Sequence, residues 1–437
     1  MTLTFSADYL QQQLAALGVA PDAPLVVAVS GGADSLSLAH AVANTRRPAR
    51  LVHVNHQLHP QSAQWAEQVR TQAKSWGLSC RIVSVELLGT ENLEARARDS
   101  RYRALAAQLN SGETVLTAHH QDDQALTLFL QLLRGAGPAG LAAMPARADF
   151  ATGEIVRPLL NLPARALRDY AVEQALQPVN DPSNDDRRFD RNFLRLEMVP
   201  MLQDRWPAFA KTLTRSASLC AEADSLQGTL ARIDGAYDHA LNLDPQKFTD
   251  VTRARNALRG FLRARDLTLP PRARLNEFVR QALTASTDSA PSLILGDVRL
   301  RVYGHYVFVT DNEAPPPNWS ARLENGESLT LPGDAGVLTY HGRNAHIRPL
   351  RVTLRRGGER FVQPPERRVK SYLQGLGVLP WRRAWVPLVY RESGPTQLVA
   401  IGDWWRSPGL EGQLRWQREA VYRLSDVAGA PEFAQPR

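Results

Sequence analysis

Cysteine is nearly absent from this 437-residue chain: Cys80 and Cys220 stand alone, and no C-x-x-C occurs. That argues against a zinc ribbon, an iron–sulfur site or a disulfide scaffold. Lysine is almost as scarce, at Lys74, Lys211, Lys247 and Lys370, so arginine carries the net charge of +8. The planar guanidinium fork suits phosphate, which points to a polyanionic partner, although an excess of this size is also what a solvated surface carries. No apolar run is long enough to span a bilayer, and no basic stretch followed by an apolar core opens the chain. A protein without membrane contact, located in the cytoplasm, is therefore expected.

What the chain does have is concentrated first at Leu25–Ser35. A β-branched run, Leu25-Val26-Val27-Ala28-Val29, ends in Ser30-Gly31-Gly32-Ala33-Asp34-Ser35, and a helical pattern of Leu36, Leu38, Ala39, Ala41 and Val42 follows at once. A buried strand that turns into a helix through a Gly-rich loop presents free backbone N–H groups and the positive end of a helix dipole, a ready phosphate site. Paired glycines let the backbone approach an anion closely, and the serines add hydroxyl donors. The spacing is neither G-x-x-x-x-G-K-[ST] nor G-x-G-x-x-G. Asp34 inside an anion site makes chemical sense as a ligand of Mg²⁺ beside the phosphates. A strand–turn–helix corner with no ligand is the plainer alternative.

Strand candidates at Leu25–Val29, Leu51–Asn55, Arg81–Glu86 and Thr114–Ala118 alternate with helical patterns near Ser35–Ala43, Ser62–Trp76, Asn92–Leu109 and Gln121–Leu133. This alternation predicts an α/β fold with a parallel, doubly wound sheet. Such sheets bind ligands beyond the carboxyl ends of their strands, where strand order reverses. The Ser30–Ser35 loop is therefore expected to face the loop after Thr114–Ala118, which reads His119-His120-Gln121-Asp122-Asp123. Val156-Arg157-Pro158-Leu159-Leu160 leads into a helical stretch that ends before Pro178. Lys211–Leu283 reads as helical and Arg-rich, Ser292–Leu295 and Arg299–Thr310 as strands, and Pro315-Pro316-Pro317 as a linker. The length implies two or three domains. The expected division is 1–210, a mainly helical 211–311, a linker at 312–320, a small mixed α/β domain at 321–425 and a fraying tail at 426–437.

Several constellations carry chemistry. Two imidazoles and two carboxylates at His119–Asp123 suit acid–base work or contact with phosphate, magnesium or an amine, while the H-x-x-x-H spacing of a zinc site is missing. Glu94, Arg98 and Arg101-Tyr102 share a helix face, readable as a salt-bridged surface or as a phosphate clamp. Asn180–Asp185 reads as a turn and cap. After it, Arg188, Arg191 and Arg195 are spaced for one helical face, which with Asn192 and Phe193 can bind phosphates and stack on a base. From Arg355 to Arg406 arginines interleave with Phe361, Tyr372, Trp381, Trp385, Trp404 and Trp405. That mixture fits a small tryptophan core and an RNA-binding surface alike.

Ser30–Ser35 looks like the SGGxDS loop of the ATP pyrophosphatases. Taken in order with His53–Leu58, the Glu94…Arg98…Arg101-Tyr102 helix, His119–Ala125, Arg134–Leu141, Asp181–Asn184…Arg191-Asn192, Arg356-Gly357-Gly358-Glu359 and Arg367–Leu376, it resembles the bacterial tRNA(Ile)-lysidine synthetases. The resemblance implies a cytoplasmic ligase that uses ATP and Mg²⁺ to adenylate the wobble cytidine of tRNA(Ile) with a CAU anticodon. Free L-lysine then displaces AMP to give lysidine. It further implies that Ser30, Gly31, Gly32, Ala33, Asp34 and Ser35 bind ATP and that Asp34 holds the metal. His119 would contact the α-phosphate or move a proton, and Asp123 would bind or deprotonate the lysine amine. Arg98, Arg101, Arg191, Asn192 and Arg195 would hold phosphates or RNA, with the later domains reading the tRNA body. A homodimer is compatible with the resemblance. One departure stands out: the family pattern HHxxDxxET places a Glu where this chain has Leu126, followed by Thr127. The Arg often found just after the Leu of the His53 motif is also missing. Two other readings are a tRNA thiolase of the same superfamily, delivering sulfur through a cysteine pair, and a non-catalytic RNA-binding protein regulated by nucleotide.

Overall fold

The computed structural model describes residues 3–86, 93–236, 238–285, 291–311, 314–343, 349–361, 367–392, 397–423 and 426. The chain packs as two compact units, Met1–Leu226 and Gln227–Arg437.

In the first unit the elements follow as α1 (Ala7–Ala16), β1 (Leu25–Ala28), α2 (Ala33–Asn44), β2 (Ala49–Asn55), α3 (Ser62–Ser75), β3 (Ser79–Ser84), α4 (Leu93–Ala106), β4 (Thr114–Leu116) and α5 (Gln121–Leu133). After these come α6 (Pro138–Leu141), β5 (Arg147–Phe150), β6 (Gly153–Val156), α7 (Ala164–Glu173), α8 (Asp190–Phe193), α9 (Val199–Arg205) and α10 (Phe209–Ile233), whose residues from Gln227 on belong to the second unit. The sheet order is β3-β2-β1-β4-β6-β5. β1 runs parallel to both neighbours, with Val27 opposite Leu51 on one side and Leu116 on the other. Strand order therefore reverses between β1 and β4, as the alternation predicts.

The period of two in the β1 run explains its central place. Leu25, Val27 and Val29 enter one core with Leu10 and Leu14 of α1, Leu36 and Leu38 of α2 and Leu167 of α7, while Val26 enters the other with Val52, Val115, Ile155 and Leu105 of α4. A strand buried on both faces must be apolar throughout. Each fully buried Leu or Val contributes about 1.5–3 kcal/mol. α2 is buried almost all round, Ser37 included, because Ser37 Oγ donates to Leu167 O at 3.1 Å.

The sheet is wider than the sequence reading. Residues before Leu159, read only as a lead-in to a helix, form the antiparallel hairpin β5–β6, and β6 adds to β4 in parallel. Asn92, at the expected start of α4, lies outside the described residues, as does the Glu94 side chain. So does the 426–437 tail apart from Asp426.

In the second unit α11 (Val251–Arg263) and α12 (Arg272–Thr284) share one core with Leu300, Val302 and Val307 of a four-stranded sheet. Arg299–Thr310, expected as one strand, is the hairpin Val298–Tyr303 and Tyr306–Asp311, turned at Gly304 with φ +59°. Beyond the linker lie small antiparallel sheets and a helix at Val369–Gly375. There Trp385 and Trp416 are buried in one core with Phe361, and Tyr372, Trp404 and Trp405 pack against it. Much of the aromatic–arginine interleaving is thus a core with guanidiniums stacked outside it, as where Arg418 lies over Trp404 and Trp416. Among the described residues no helix is long and apolar enough to cross a membrane.

Candidate active site

The two strand ends meet. Val29 leaves β1 into Ser30-Gly31-Gly32, and Gly32 caps α2 without any side-chain hydrogen bond. The first backbone bond of α2 runs from Leu36 N to Gly32 O. Helix geometry therefore leaves the amides of Ala33, Asp34 and Ser35 without intrahelical acceptors. The three amides before them, expected to be free, are held internally. Ser35 Oγ accepts from Ser30 N and Gly31 N, both at 3.2 Å, and donates to Gly32 O at 3.0 Å, while Ser30 Oγ accepts from Gly32 N at 3.4 Å. The serine hydroxyls thus shape the loop.

Gly31 is required here by both dihedral and space. Its φ is +96°, and a Cβ would lie 3.2 Å from Val69 Cγ2 and 3.3 Å from Val179 Cγ2. Gly31→Ala is expected to lower unfolding free energy by about 1–3 kcal/mol in a urea titration and to weaken nucleotide binding.

At the end of β4, His120 caps α5 through a reciprocal box: Asp123 N donates to Nδ1 at 3.4 Å and His120 N donates to Asp123 Oδ2 at 3.1 Å. His120 Nε2 lies 3.5 Å from Asp34 Oδ2 and 3.3 Å from Asp123 Oδ2, so this imidazole ties the two loops together. Burial opposes its charging, yet the bond to Asp34 and the carboxylates of Asp123 and Asp122 hold its pKa above the ordinary value. The resemblance gives catalytic roles in this motif to His119 and Asp123 and none to His120. An H-x-x-D at a strand-to-helix corner carries the capping signal that could have found it.

His119 behaves oppositely. Its Nδ1 is 2.8 Å from Thr117 Oγ1. Removal from water pushes its pKa down to about 3; Asp123 resists, while the fields of Arg157, Arg191 and Arg98 add to the fall. His119 is accordingly neutral at physiological pH.

Asp123 is fully engaged. Oδ1 accepts from Arg191 Nη2 at 2.5 Å, Oδ2 takes the His120 amide, and Arg191 Nη1 reaches Thr127 Oγ1 at 3.4 Å. Although burial works against ionisation, His120 and Arg191 keep its pKa below the usual carboxylate range. Asp122 instead serves the fold, its Oδ2 accepting from Ala164 N at 2.8 Å at the start of α7.

The arginines divide. Arg191 is brought into the site, and the field of Arg98 reaches His119, its guanidinium also lying 5.3 Å from the Tyr102 ring centroid. Burial lowers the pKa of His53 and pushes that of His56 down to about 4, and the charge of Arg101 at the end of β2 adds to both. Arg188, Arg191 and Arg195 do not form one helical face. Arg188 precedes α8 and pairs with Asp186 at 2.7 Å, because Asp181–Asp186 folds into a turn. Asn192 Nδ2 donates to Ser183 O and Asp186 O at 3.0 Å, and Arg195 donates to Asn184 O, so both brace that turn. Leu126 is buried at 4% exposure, in keeping with the apolar residue that replaces the Glu.

Cys80 sits near the entry of β3, opposite Leu51, whereas the loops meet at the exits of the strands. Burial pushes its thiol up to about 11. Among the described residues no group of three or more His, Cys, Asp or Glu is arranged to hold a metal ion.

Residues 5–202 match the PP-loop domain, 249–308 the TilS substrate binding domain and 350–421 the TilS substrate C-terminal domain. A tRNA(Ile)-lysidine synthase of Alkalilimnicola ehrlichii is 38% identical, over 92% of this chain and 94% of the relative. The chain belongs to the tRNA(Ile)-lysidine synthase family. Further relatives of that name come from Xanthomonas campestris, at 35% identity over 94% of this chain and 97% of theirs, and from Methylococcus capsulatus, at 35% over 95% of each. Family membership makes this chain an ATP-using ligase of tRNA modification, on an ATP pyrophosphatase fold.

Proposed function

We propose that this lysidine synthase works in two steps at the crevice between the Ser30–Ser35 loop and the His119–Asp123 loop. The cytidine O2 of tRNA(Ile) with a CAU anticodon attacks the α-phosphate of ATP, the bond to the β-phosphate breaks, and pyrophosphate leaves. The lysine ε-ammonium first gives a proton to water, the free amine attacks C2, the C2–O bond to AMP breaks, and the nitrogen loses a second proton to water to yield lysidine. The observation that carries this reading is the junction of the two loops through His120, 3.5 Å from Asp34.

The uncapped amides of Ala33, Asp34 and Ser35 stabilise the departing pyrophosphate together with the α2 dipole. Ser30, Gly31 and Gly32 shape the loop around it. Asp34, whose side chain is 41% exposed, is the residue that would hold Mg²⁺. When bound, the ion neutralises phosphate charge. Neutral His119 donates a hydrogen bond to the α-phosphate without being charged itself. Asp123 receives the lysine ammonium by exchanging its Arg191 contact, and freed Arg191, with Arg98, neutralises the adenylate. Arg101 holds the nucleotide side near β2, and the turn braced by Asn192 and Arg195 borders the RNA. Segments 211–311 and 321–425 read the tRNA body, since methionine tRNA shares the CAU anticodon.

The deciding experiment incubates the protein with ATP, isotopically labelled lysine and unmodified tRNA(Ile), digests the RNA and weighs its nucleosides. A labelled cytidine carrying lysine is expected; unlabelled cytidine with no AMP released would favour a nucleotide-regulated binding protein. A thiolase needs a reactive cysteine pair. Cys80→Ser/Cys220→Ser is therefore expected to retain wild-type turnover in the same assay.

A further inference from the structure

Arg157 stands just past the end of β6 and has no place in the scheme above. It is 6% exposed; its amide donates to Ala146 O and its Nη1 to Pro145 O, both at 2.8 Å, while its Nε is buried without a partner. Among the described residues no carboxylate pairs with it. Arginine cannot shed its proton, and a buried cation without a counterion is costly. The fold nevertheless keeps one here.

Its place explains what that charge does. β6 pairs with β4 so that Val156 lies opposite Leu116, and Thr117 N donates to Val156 O at 3.2 Å. Arg157 therefore follows beside Thr117, whose hydroxyl meets His119 Nδ1. We propose that Arg157 is a positioning residue, a buried fixed charge that reinforces the burial of the His119 ring in favouring its uncharged form, in which it donates to the α-phosphate. The inference rests on the role given to His119 above.

The charged groups acting on His119 are Asp123 from α5, Arg191 from α8, Arg98 from α4 and Arg157 itself. Arg191 is matched by Asp123 at 2.5 Å, and Arg98 is exposed, where water and salt screen it. Arg157 alone is both buried and unpaired. Thr117 completes the arrangement: its hydroxyl lies 2.8 Å from Nδ1, and the proposed role has it donate there, with the ring proton on Nε2. A neutral imidazole used as an electrophilic donor is an established catalytic device.

The test uses the full chain with ¹⁵N-labelled histidine. In the wild-type protein His119 is expected to stay neutral through the range where free imidazole titrates, and the rate of AMP formation to lack an acid limb from His119. In Arg157→Gln its titration is expected to move up by about one unit or more. The rate then falls about tenfold as pH drops through the new value, because the protonated ring is the inactive form. Arg157→Lys, which keeps the charge, is expected to restore the wild-type titration. A wild-type His119 that titrates at the ordinary value overturns the proposal, whether or not the variants fold. An unshifted His119 in Arg157→Gln also overturns it. His119→Gln with undiminished turnover would instead remove the His119 reading, which the titration itself does not depend on.

Discussion

Asp34→Ala is expected to lose AMP and lysidine formation by about 10²–10³-fold while tRNA binding is nearly unchanged. Asp34 sits in the first turn of α2 beside the uncapped amides, and its carboxylate is the group through which His120 joins the two loops. Removing it takes away the proposed metal ligand and the anchor of the α5 cap in one step. Tertiary structure should survive, because the side chain is 41% exposed and fills no core position. The measurement pairs turnover with filter binding of tRNA. Wild-type turnover in this variant would contradict the assignment of the loop.

Asp123→Asn is expected to have the second large effect, and a different one. The substitution keeps shape but removes the charge that Arg191 meets at 2.5 Å and that His120 meets at 3.3 Å. Loss of these charge-assisted contacts is expected to cost about 1.5–3 kcal/mol of unfolding free energy. It should also lower kcat/KM for lysine by about 10²-fold. Pyrophosphate release dependent on tRNA should persist, since that step needs no amine. Equal loss of both steps would assign Asp123 to holding the site together rather than to the amine. The distinction matters because Leu126 is buried and offers no carboxylate where the resembled pattern HHxxDxxET has a Glu, and the proposal therefore gives the amine to Asp123.

The two corners were legible in the sequence because each rests on strong local rules. An apolar strand broken by two glycines has few alternatives to a turn into a helix, and the β1–β4 junction follows from parallel winding. The β5–β6 hairpin was not legible. Its strands are four residues each, and Arg147 and Asp149 face solvent on the edge strand, so neither length nor hydrophobic period marks it. Arg157 was hidden for the same reason, lying between that hairpin and Pro158 with no periodic neighbours. Spacing placed Arg188 with Arg191 and Arg195, but Asp181 and Asp186 capture the backbone in turns before α8 begins. Turn chemistry there outweighs helical period. His120 illustrates a further limit: two adjacent histidines at one strand end are alike in sequence, and only the cap distinguishes them. One is held by three carboxylates; the other is removed from water, and the fields of Arg157, Arg191 and Arg98 add to that effect.

The central claim is that the β1–α2 corner grips the terminal phosphates of ATP and presents the α-phosphate to His119. The most direct test is a crystal structure of the full chain with a non-hydrolysable ATP analogue and Mg²⁺. The account predicts β- and γ-phosphate oxygens within hydrogen-bond distance of the Ala33, Asp34 and Ser35 amides, and the α-phosphate beside His119 Nε2. A nucleotide seated elsewhere, with the Ser30–Ser35 loop still closed on its own hydroxyls, would contradict it.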